Sequence, residues 1–369
     1  MSPSTELPPS VPTPVAPSPV ATAFKSVAWA EPEREAAFNR WVTRLTATQP
    51  LHMNTLQLAS TDASFRRYLR VDSPAGTRIV MDAPPAHENC RPFVDVAALM
   101  AGAGLNVPQV LAWDEPNGFM LLSDLGHQTM MQVISRDDPP ANFALYMDAV
   151  DALIAWQLAS KPGVLPPYDE TLLRRELELF PDWYLGKHRQ VTVEGDVRKT
   201  LDAAFKVIVE QNLAWPSVYV HRDFMPRNLM IGNPVGILDF QDAVYGPITY
   251  DIASLMRDAF LTWEEDFVLD ITIRYWQKAR AAGLPVGDDF GEFYRGVEWM
   301  GLQRHLKVAG IFARLTLRDS KPQYLADTPR FIHYIRTTCD RYRELRPLLR
   351  LVDKIEGIQN ATGFAYGRV

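Results

Sequence analysis

Three polar residues between His221 and Asp251 have the types and the spacing that phosphoryl transfer requires. Asp223 lies in a His-Arg-Asp run after an apolar segment, Asn228 follows after four intervening residues, and Asp239 ends a second apolar segment eleven residues beyond Asn228. Phosphoryl transfer needs a carboxylate that accepts or orients the hydroxyl proton, and hard oxygen ligands for Mg²⁺ on the nucleotide phosphates. The spacing therefore predicts Asp223 as the catalytic base and Asn228 and Asp239 as metal ligands.

The same stretch resembles a known family of enzymes. Its Asp-Phe-Gln-Asp run and the helix start at Tyr250–Ala253 are similar to the catalytic and metal-binding segments of the protein-kinase-like fold, in particular the aminoglycoside phosphotransferase superfamily. The resemblance implies structural roles for His221, packed beneath the catalytic loop, and for Asp251, which would hold that loop. The alternative is that Asp223 and Asp239 are ordinary turn and strand-end acids, but their coincidence with Asn228 and two apolar strands favours the catalytic interpretation.

The elements that must position these residues divide into a sheet-rich part and a helical part. Alternating apolar residues predict strands, and apolar residues three and four apart predict helices. The strands are expected at 51–58, 68–71, 77–82, 109–113, 119–123, 218–221, 229–231 and 236–239. The helices are expected at 31–45, 92–103, 142–158, 171–185, 197–213, 248–260, 266–282, 290–315 and 328–349.

This order of elements predicts a two-lobed α+β fold. The resemblance implies a protein-kinase-like architecture, with a small antiparallel-sheet N-lobe that binds nucleotide over 31–125. A mostly helical C-lobe with the catalytic loop and the acceptor site is expected over 126–350. Seven prolines fall within the first 20 residues, so a disordered tail is expected over 1–30, and a C-terminal tail over 351–369.

Composition excludes several classes of protein. The net charge of −6 is unlike that of a nucleic-acid binder, and no stretch is apolar enough to span a membrane. The two cysteines, far apart, predict neither a disulfide framework nor a metal site, which favours a reducing cytoplasm. We expect a cytoplasmic protein that acts on a small molecule, with no obligate protein partner.

Two upstream segments are expected to contact the nucleotide. The stretch Ser60–Tyr68 lies between two predicted strands, where kinase-like folds place the loop over the phosphates. Main-chain N–H groups and arginines can bind phosphate there. The stretch Leu121–Gly126 resembles the hinge between the lobes, whose main chain would bind the purine. The residues expected at the nucleotide are Ser60, Thr61, Ser64, Phe65, Arg66, Arg67, Met81, Ser123, Asp124 and Leu125.

One position departs from the kinase pattern. The predicted strand 77–82 places Met81 where kinases carry the lysine that steadies the α- and β-phosphates. Either Arg66 or Arg67 substitutes, with Glu88 as a candidate for the helix acid, or the nucleotide is held differently. A nucleotide-binding regulatory module without catalysis is a further interpretation.

The acceptor is predicted from a closer resemblance. Phe65–Val71, Ile79–Pro85, Asn89–Phe93 and Gln303–Val308 are similar to segments of the bacterial cell-wall amino-sugar kinases. That family uses ATP and Mg²⁺ to phosphorylate the anomeric hydroxyl of N-acetylmuramate and N-acetylglucosamine in peptidoglycan recycling. A same-fold kinase of another small alcohol, such as an aminoglycoside or a choline-like amine, is the alternative.

N-acetylmuramate carries a lactyl carboxylate, so its pocket is expected to offer a cation. On a predicted late helix, Arg304, Lys307 and Arg314 can share one face. The alternatives are a solvated basic helix face and, for His305, a structural role. The residues expected to bind the acceptor are Asp242, Tyr245, Arg304, His305 and Arg314.

Overall fold

The structure, a computed structural model, describes residues 27–29, 31–61 and 65–358, with the side chains of Ser60 and Thr61 excepted. Most of the expected tail over 1–30, and the end of the C-terminal tail, lie outside these ranges. Residues 27–29 do not behave as a free tail, because Trp29 packs on Phe38 with ring centroids 4.8 Å apart. Of the expected tail, at least Trp29 therefore contacts the part of the chain that follows it.

The first part of the chain forms a five-stranded antiparallel sheet in the order β1-β2-β3-β5-β4. Helices α1 (Pro32–Leu45) and α2 (Arg91–Gly102) accompany it. The strands are β1 (His52–Thr61), β2 (Arg67–Ser73), β3 (Gly76–Asp82), β4 (Val110–Asp114) and β5 (Phe119–Ser123). Alternate residues of β2 and β3, among them Leu69 and Val80, are buried with Phe38 and Trp41 of α1. The opposite face of the sheet therefore turns toward the rest of the molecule.

The remainder of the described chain is mostly helical. Its helices are α3 (Met130–Val133), α4 (Phe143–Leu158), α5 (Glu170–Leu177), α6 (Gly195–Leu213), α7 (Thr249–Met256), α8 (Glu265–Ala281), α9 (Phe290–Leu317), α10 (Thr328–Arg341) and α11 (Arg346–Glu356). A π-helical segment covers Phe180–His188, and 3₁₀ turns cover Pro139–Asn142, Pro226–Asn228, Pro322–Asp327 and Arg343–Leu345. Each described helix is too short or too polar to span a bilayer.

Two small strand pairs hold the segment that carries the predicted chemistry. Strand β6 (Ser217–Val220) pairs with β9 (Val244–Pro247), and β7 (Leu229–Met230) pairs with β8 (Gly236–Ile237). The catalytic loop is the segment 221–228, which runs from the end of β6 to the start of β7. Residues 238–243 connect β8 to β9, so the two pairs bring both polar segments to one side of the helical part.

The predicted α+β, two-lobed fold is confirmed. The main differences lie at prolines and in strand β9, which was not predicted. The helix predicted over 171–185 ends at Leu177, and Pro181 opens the π-helical segment. The helix predicted over 328–349 breaks at Tyr342, whose extended φ of −115° precedes α11 with Pro347 in its first turn. Proline lacks an N–H and starts helices better than it continues them. Helix α11 also reaches Glu356, into the expected C-terminal tail.

Candidate active site

The catalytic loop is held by a buried carboxylate from α7. Asp251 is fully buried, and its two oxygens accept the main-chain N–H groups of His221 at 2.7 Å and Arg222 at 3.0 Å. Burial raises the pKa of Asp251 to about 7, while these two N–H groups and Arg304 act in the opposite direction. Arg222 itself has a left-handed φ of 77°, which costs energy in a residue with a Cβ. The carboxylate therefore stabilises a strained main chain one residue before Asp223.

The ring of His221 is hydrogen-bonded both to the catalytic loop and to the segment 238–243. It is 1% exposed, its Nε2 lies 3.0 Å from the carbonyl oxygen of Leu238, and its Nδ1 accepts the N–H of Asp223 at 3.2 Å. Burial lowers the pKa of His221 to about 4, so the ring is neutral at pH 7. Its Nε2 accordingly donates to Leu238 while its Nδ1 accepts. His221 links the catalytic loop to the residue that precedes Asp239.

The three residues predicted for the chemistry come together in space. The Asn228 amide nitrogen donates to the carbonyl oxygen of Asp223 at 2.9 Å and lies 3.4 Å from a carboxylate oxygen of Asp239. Gln241 donates to the other Asp239 oxygen at 2.9 Å. Asp239 is exposed and has a left-handed φ of 64°. Strain of this kind concentrates at functional sites, where surrounding contacts maintain it.

These side chains fit a magnesium ion. Asn228 and Asp239 offer an amide and a carboxylate at one position, and Mg²⁺ prefers oxygen ligands. In the part of the chain that the structure describes, no three His, Cys, Asp or Glu side chains form a metal cluster. One or two protein ligands suffice when the other positions belong to phosphates and water. The pair Asn228 and Asp239 would hold the ion.

Helix α9 contributes to the loop in a way that the sequence interpretation missed. The Arg304 guanidinium is 3% exposed and donates to the carbonyl oxygen of Arg222 at 2.6 Å. It also lies over the ring of Tyr250, 4.9 Å from its centroid. Arg304 therefore contacts the main chain beside Asp223 from inside the protein. Arg304 lines neither of the two clefts described below, so its expected contact with the acceptor gains no support from this geometry and stays a prediction.

The other two late-helix expectations fall on different surroundings. His305 is 2% exposed, its Nε2 lies 3.1 Å from the carbonyl oxygen of Arg257, and its ring stacks on Tyr334 at 4.4 Å. Burial lowers its pKa to about 3, which fits the structural role that the sequence analysis left open. Arg314 is half-buried and lies ten residues beyond Arg304, hence about 15 Å further along α9. The contacts of His305 and Arg314 to the acceptor stay predictions.

Glu176 of α5 is the centre of a buried ionic cluster beneath the loop. Its carboxylate accepts from Arg222 at 2.5 Å, Lys307 at 3.0 Å, Tyr168 at 2.6 Å and Gln303 at 3.0 Å. Burial alone would raise the pKa of Glu176, but Lys307 and Arg222 outweigh it and lower the pKa to about 2. No sequence pattern pointed to Glu176, because three of its four partners lie 46, 127 and 131 positions away.

A cleft of about 310 Å³ opens between the sheet and the catalytic loop. Asn228 and Asp239 line it together with the predicted hinge residues Ser123, Asp124 and Leu125. From the sheet it receives Tyr68, Arg70, Ile79 and Leu122. The cleft therefore joins the predicted purine-binding hinge to the predicted metal ligands.

The sheet side of the cleft differs from the expectation in two residues. Met81 is completely buried in the core, and Ile79, two residues earlier on the same strand face, lines the cleft. Arg70 also lines the cleft and donates to both oxygens of Asp124 at 2.6 and 3.1 Å and to the carbonyl oxygen of Gly126 at 2.7 Å. The period of two along β2 could have identified Arg70, because it shares a face with Tyr68.

The two arginines expected at the phosphates lie in different places. Arg66 pairs with Glu88, with nitrogen–oxygen distances of 3.0 and 2.9 Å. Arg67 instead pairs with the buried Asp82 at 2.5 Å and lies over the Trp29 ring. Arg67 thus belongs to the α1 side of the sheet, and its expected phosphate contact is corrected; the role of Arg66 stays a prediction.

The remaining nucleotide expectations fall on the segment before β2. Phe65 is 64% exposed and its ring stacks on His87 at 4.6 Å. The main chain of Ser60 and Thr61 forms part of β1, and Ser64 lies outside the described residues. Their contacts to nucleotide stay predictions.

A second cavity, of about 760 Å³, adjoins the connection between β8 and β9. Arg222, Gln241 and the predicted sugar-binding residue Asp242 line it, with apolar residues of α2 and of 164–166 opposite. Tyr245 lies in β9 opposite Tyr219 and outside this lining. Asp242 thus faces open space beside the catalytic segment, and its role stays a prediction.

Comparison with known proteins agrees with this geometry. The sequence profile described as "Phosphotransferase enzyme family" matches residues 55–287. A Pseudomonas aeruginosa protein named N-acetylmuramate/N-acetylglucosamine kinase is 52% identical over 296 residues, covering 80% of this chain and 86% of that protein. A Neisseria meningitidis protein of the same name is 46% identical over 339 residues, covering 90% of this chain and 100% of that protein.

Among solved structures, a putative aminoglycoside phosphotransferase from Ralstonia eutropha superimposes with a TM-score of 0.57 at 16% identity. The alignment covers 87% of this chain and 98% of that one. At this identity the likeness concerns the fold alone.

Proposed function

The chain belongs to the phosphotransferase enzyme family, and on that premise we propose that it transfers the γ-phosphoryl group of ATP to the anomeric hydroxyl of N-acetylmuramate and N-acetylglucosamine. One observation carries the proposal. The Asn228 side chain donates to the main-chain carbonyl of Asp223 and lies at hydrogen-bonding distance from Asp239, and Asn228 and Asp239 line a cleft that reaches the hinge. The names of relatives that are 52% and 46% identical supply the choice of sugar. Peptidoglycan recycling is the proposed context, as the sequence resemblance implies.

In this proposal the purine lies at Ser123–Leu125 and the phosphates extend toward Asn228 and Asp239. Magnesium held there would neutralise charge on the phosphates and orient the γ-phosphoryl group. Asn228 also donates to the Asp223 carbonyl oxygen, so the metal ligand and the base share one rigid support. A shift in either residue would disturb the alignment on which in-line transfer depends.

Asp223 is proposed to orient the sugar hydroxyl and to take its proton. The hydroxyl oxygen forms a bond to the γ-phosphorus as the bond to the bridging oxygen of ADP breaks. An anomeric hydroxyl is more acidic than an ordinary alcohol, so the proton can move late in the reaction. A carboxylate that is held in place is then sufficient, and the hydrogen bonds to the main chain of 221–223 hold the loop that carries this one.

The experiment is ATP consumption by the purified protein with Mg²⁺ across N-acetylmuramate, N-acetylglucosamine, kanamycin and choline. We expect turnover with the two amino sugars and none with the two amines. Turnover with kanamycin or choline in place of the sugars would reject the proposed acceptor and retain the phosphotransferase. ATP binding without turnover on any acceptor would favour a regulatory module.

A further inference from the structure

Arg227 occupies a position in the catalytic loop that no expectation assigned. It is part of the 3₁₀ turn Pro226–Asn228, four residues after Asp223 and directly before Asn228. Its side chain is exposed and lines the cleft between sheet and catalytic loop. The guanidinium is therefore accessible to a ligand in the cleft that the proposed metal ligands Asn228 and Asp239 also line.

Most basic side chains around this site are already neutralised or buried. Arg70 pairs with Asp124 and Arg222 pairs with Glu176, while Arg304 is buried against the main chain. Burial raises the pKa of Asp258 and the charge of Arg227 acts to lower it, while the exposed Arg227 side chain lines the cleft. Its donors remain available, and an arginine fork fits a carboxylate with two parallel hydrogen bonds.

The Arg227 side chain packs on an aromatic ring of the helical part. Its guanidinium carbon lies 4.6 Å from the centroid of the Phe260 ring. The main-chain N–H of Phe260 donates to the buried Asp258, and the ring packs on Phe312 of α9, with centroids 5.6 Å apart. The cation is thus presented by an aromatic surface whose own position is fixed.

The position of the Phe260 ring also indicates which ligand the Arg227 guanidinium can contact. Phe260 and Phe312 belong to the helical part, whereas the sheet and the hinge form the purine side of the cleft. The guanidinium therefore lies on the helical side of the cleft, next in the chain to Asn228, where an acceptor must meet the transferred phosphoryl group.

We infer that Arg227 binds the carboxylate of an acidic acceptor sugar and so sets the preference for N-acetylmuramate over N-acetylglucosamine. The inference rests on the proposed function. The two sugars share the ring, the acetamido group and the anomeric hydroxyl, and only N-acetylmuramate carries the lactyl carboxylate. A cation that contacts this group affects one substrate and not the other. Arg304, Lys307 and His305 are buried and line neither cleft.

The test is the ratio of kcat/KM for N-acetylmuramate to that for N-acetylglucosamine in Arg227→Gln and Arg227→Lys. Loss of a charge-assisted pair lowers this ratio about 10- to 100-fold in Arg227→Gln. Arg227→Lys retains the charge without the fork, so an intermediate ratio is expected. Because both sugars are measured on one preparation, a misfolded fraction cancels from the ratio. Arg40→Gln, an exposed arginine on α1, is the matched control and leaves the ratio unchanged.

Two results would overturn the inference. An unchanged ratio in Arg227→Gln would mean that Arg227 does not contact the lactyl carboxylate. An equal loss on both sugars with a raised KM for ATP would assign Arg227 to the nucleotide phosphates. Either result leaves the proposed function standing, provided the unmodified protein phosphorylates both sugars. If it phosphorylates neither sugar, the proposed function itself fails.

Discussion

The catalytic loop and the phosphate-covering segment before β2 are held in opposite ways. Around the loop, Asp251 and Arg304 bind consecutive main-chain groups from within the core. Before β2, Phe65 is largely exposed, and Arg66 forms an ion pair with the side chain of Glu88. The loop residues are therefore fixed before any ligand arrives, whereas Arg66 is paired with an acid whose place a phosphate can take.

The comparison predicts that changes at the loop alter the rate, and changes at the segment before β2 alter nucleotide affinity. The largest effect is expected from Asp223→Asn. Loss of a general base lowers kcat by about 100- to 10,000-fold. The dissociation constant for ATP, measured by calorimetry, should change little, because Asn228 and Asp239 remain in place. Turnover comparable to that of the unmodified protein would remove Asp223 from its role.

The pH dependence of stability tests whether the ionic cluster around Glu176 supports the catalytic loop. The pKa of Glu176 is about 2 in the folded protein and higher in the unfolded chain, so its contribution to stability is complete above the unfolded value and is lost as the pH falls through 4.5 toward 2. The shift corresponds to about 3 kcal/mol in the free energy of unfolding. Urea unfolding across this range should show the loss, and Glu176→Gln should flatten it. An identical pH dependence in both proteins would contradict the ionic support.

Variants of Arg304 test whether this residue positions the catalytic loop or only stabilises the fold. Arg304→Met removes the donor to the Arg222 carbonyl oxygen, and a displaced Asp223 should lower kcat about 10- to 100-fold with little change in KM for ATP. The free energy of unfolding should fall by about 1.5–3 kcal/mol. Arg304→Lys, which retains a buried donor, should recover part of kcat. An equal stability loss with an unchanged kcat would limit Arg304 to a structural role.

Arg66 and Arg67 test the other side of the comparison. Arg66→Gln is expected to weaken ATP binding about 10-fold with kcat largely retained. The reason is that Arg66, which pairs with Glu88, is the candidate to replace the strand lysine of kinases, whose position Met81 occupies. Arg67→Gln should affect stability more than affinity, because its guanidinium binds Asp82 on the α1 side. Titration of both variants with ATP decides between them. Weaker binding in Arg67→Gln alone would reverse the assignment.

The sequence predicted the fold class and the positions of Asp223, Asn228 and Asp239 because their relation is local. Two short strand pairs bring residues close in the chain close in space. Residues that are far apart in the chain show no sequence pattern that would reveal their contact. Glu176 meets Lys307 across 131 positions, and helical period placed Arg304 and Lys307 on one face without showing what covers that face. A continuous apolar period likewise predicted one helix across Tyr342, where Pro347 starts another.

The most direct test of the proposed chemistry is the position of the phosphoryl group in the product. Phosphorus and carbon NMR of the reaction with N-acetylmuramate, ATP and Mg²⁺ should show phosphorus coupled to the anomeric carbon, and the signal should be absent with Asp223→Asn. Phosphorus coupled to any other carbon of the sugar, or an anomeric phosphate formed equally well by Asp223→Asn, would contradict an anomeric kinase that uses Asp223 as its base.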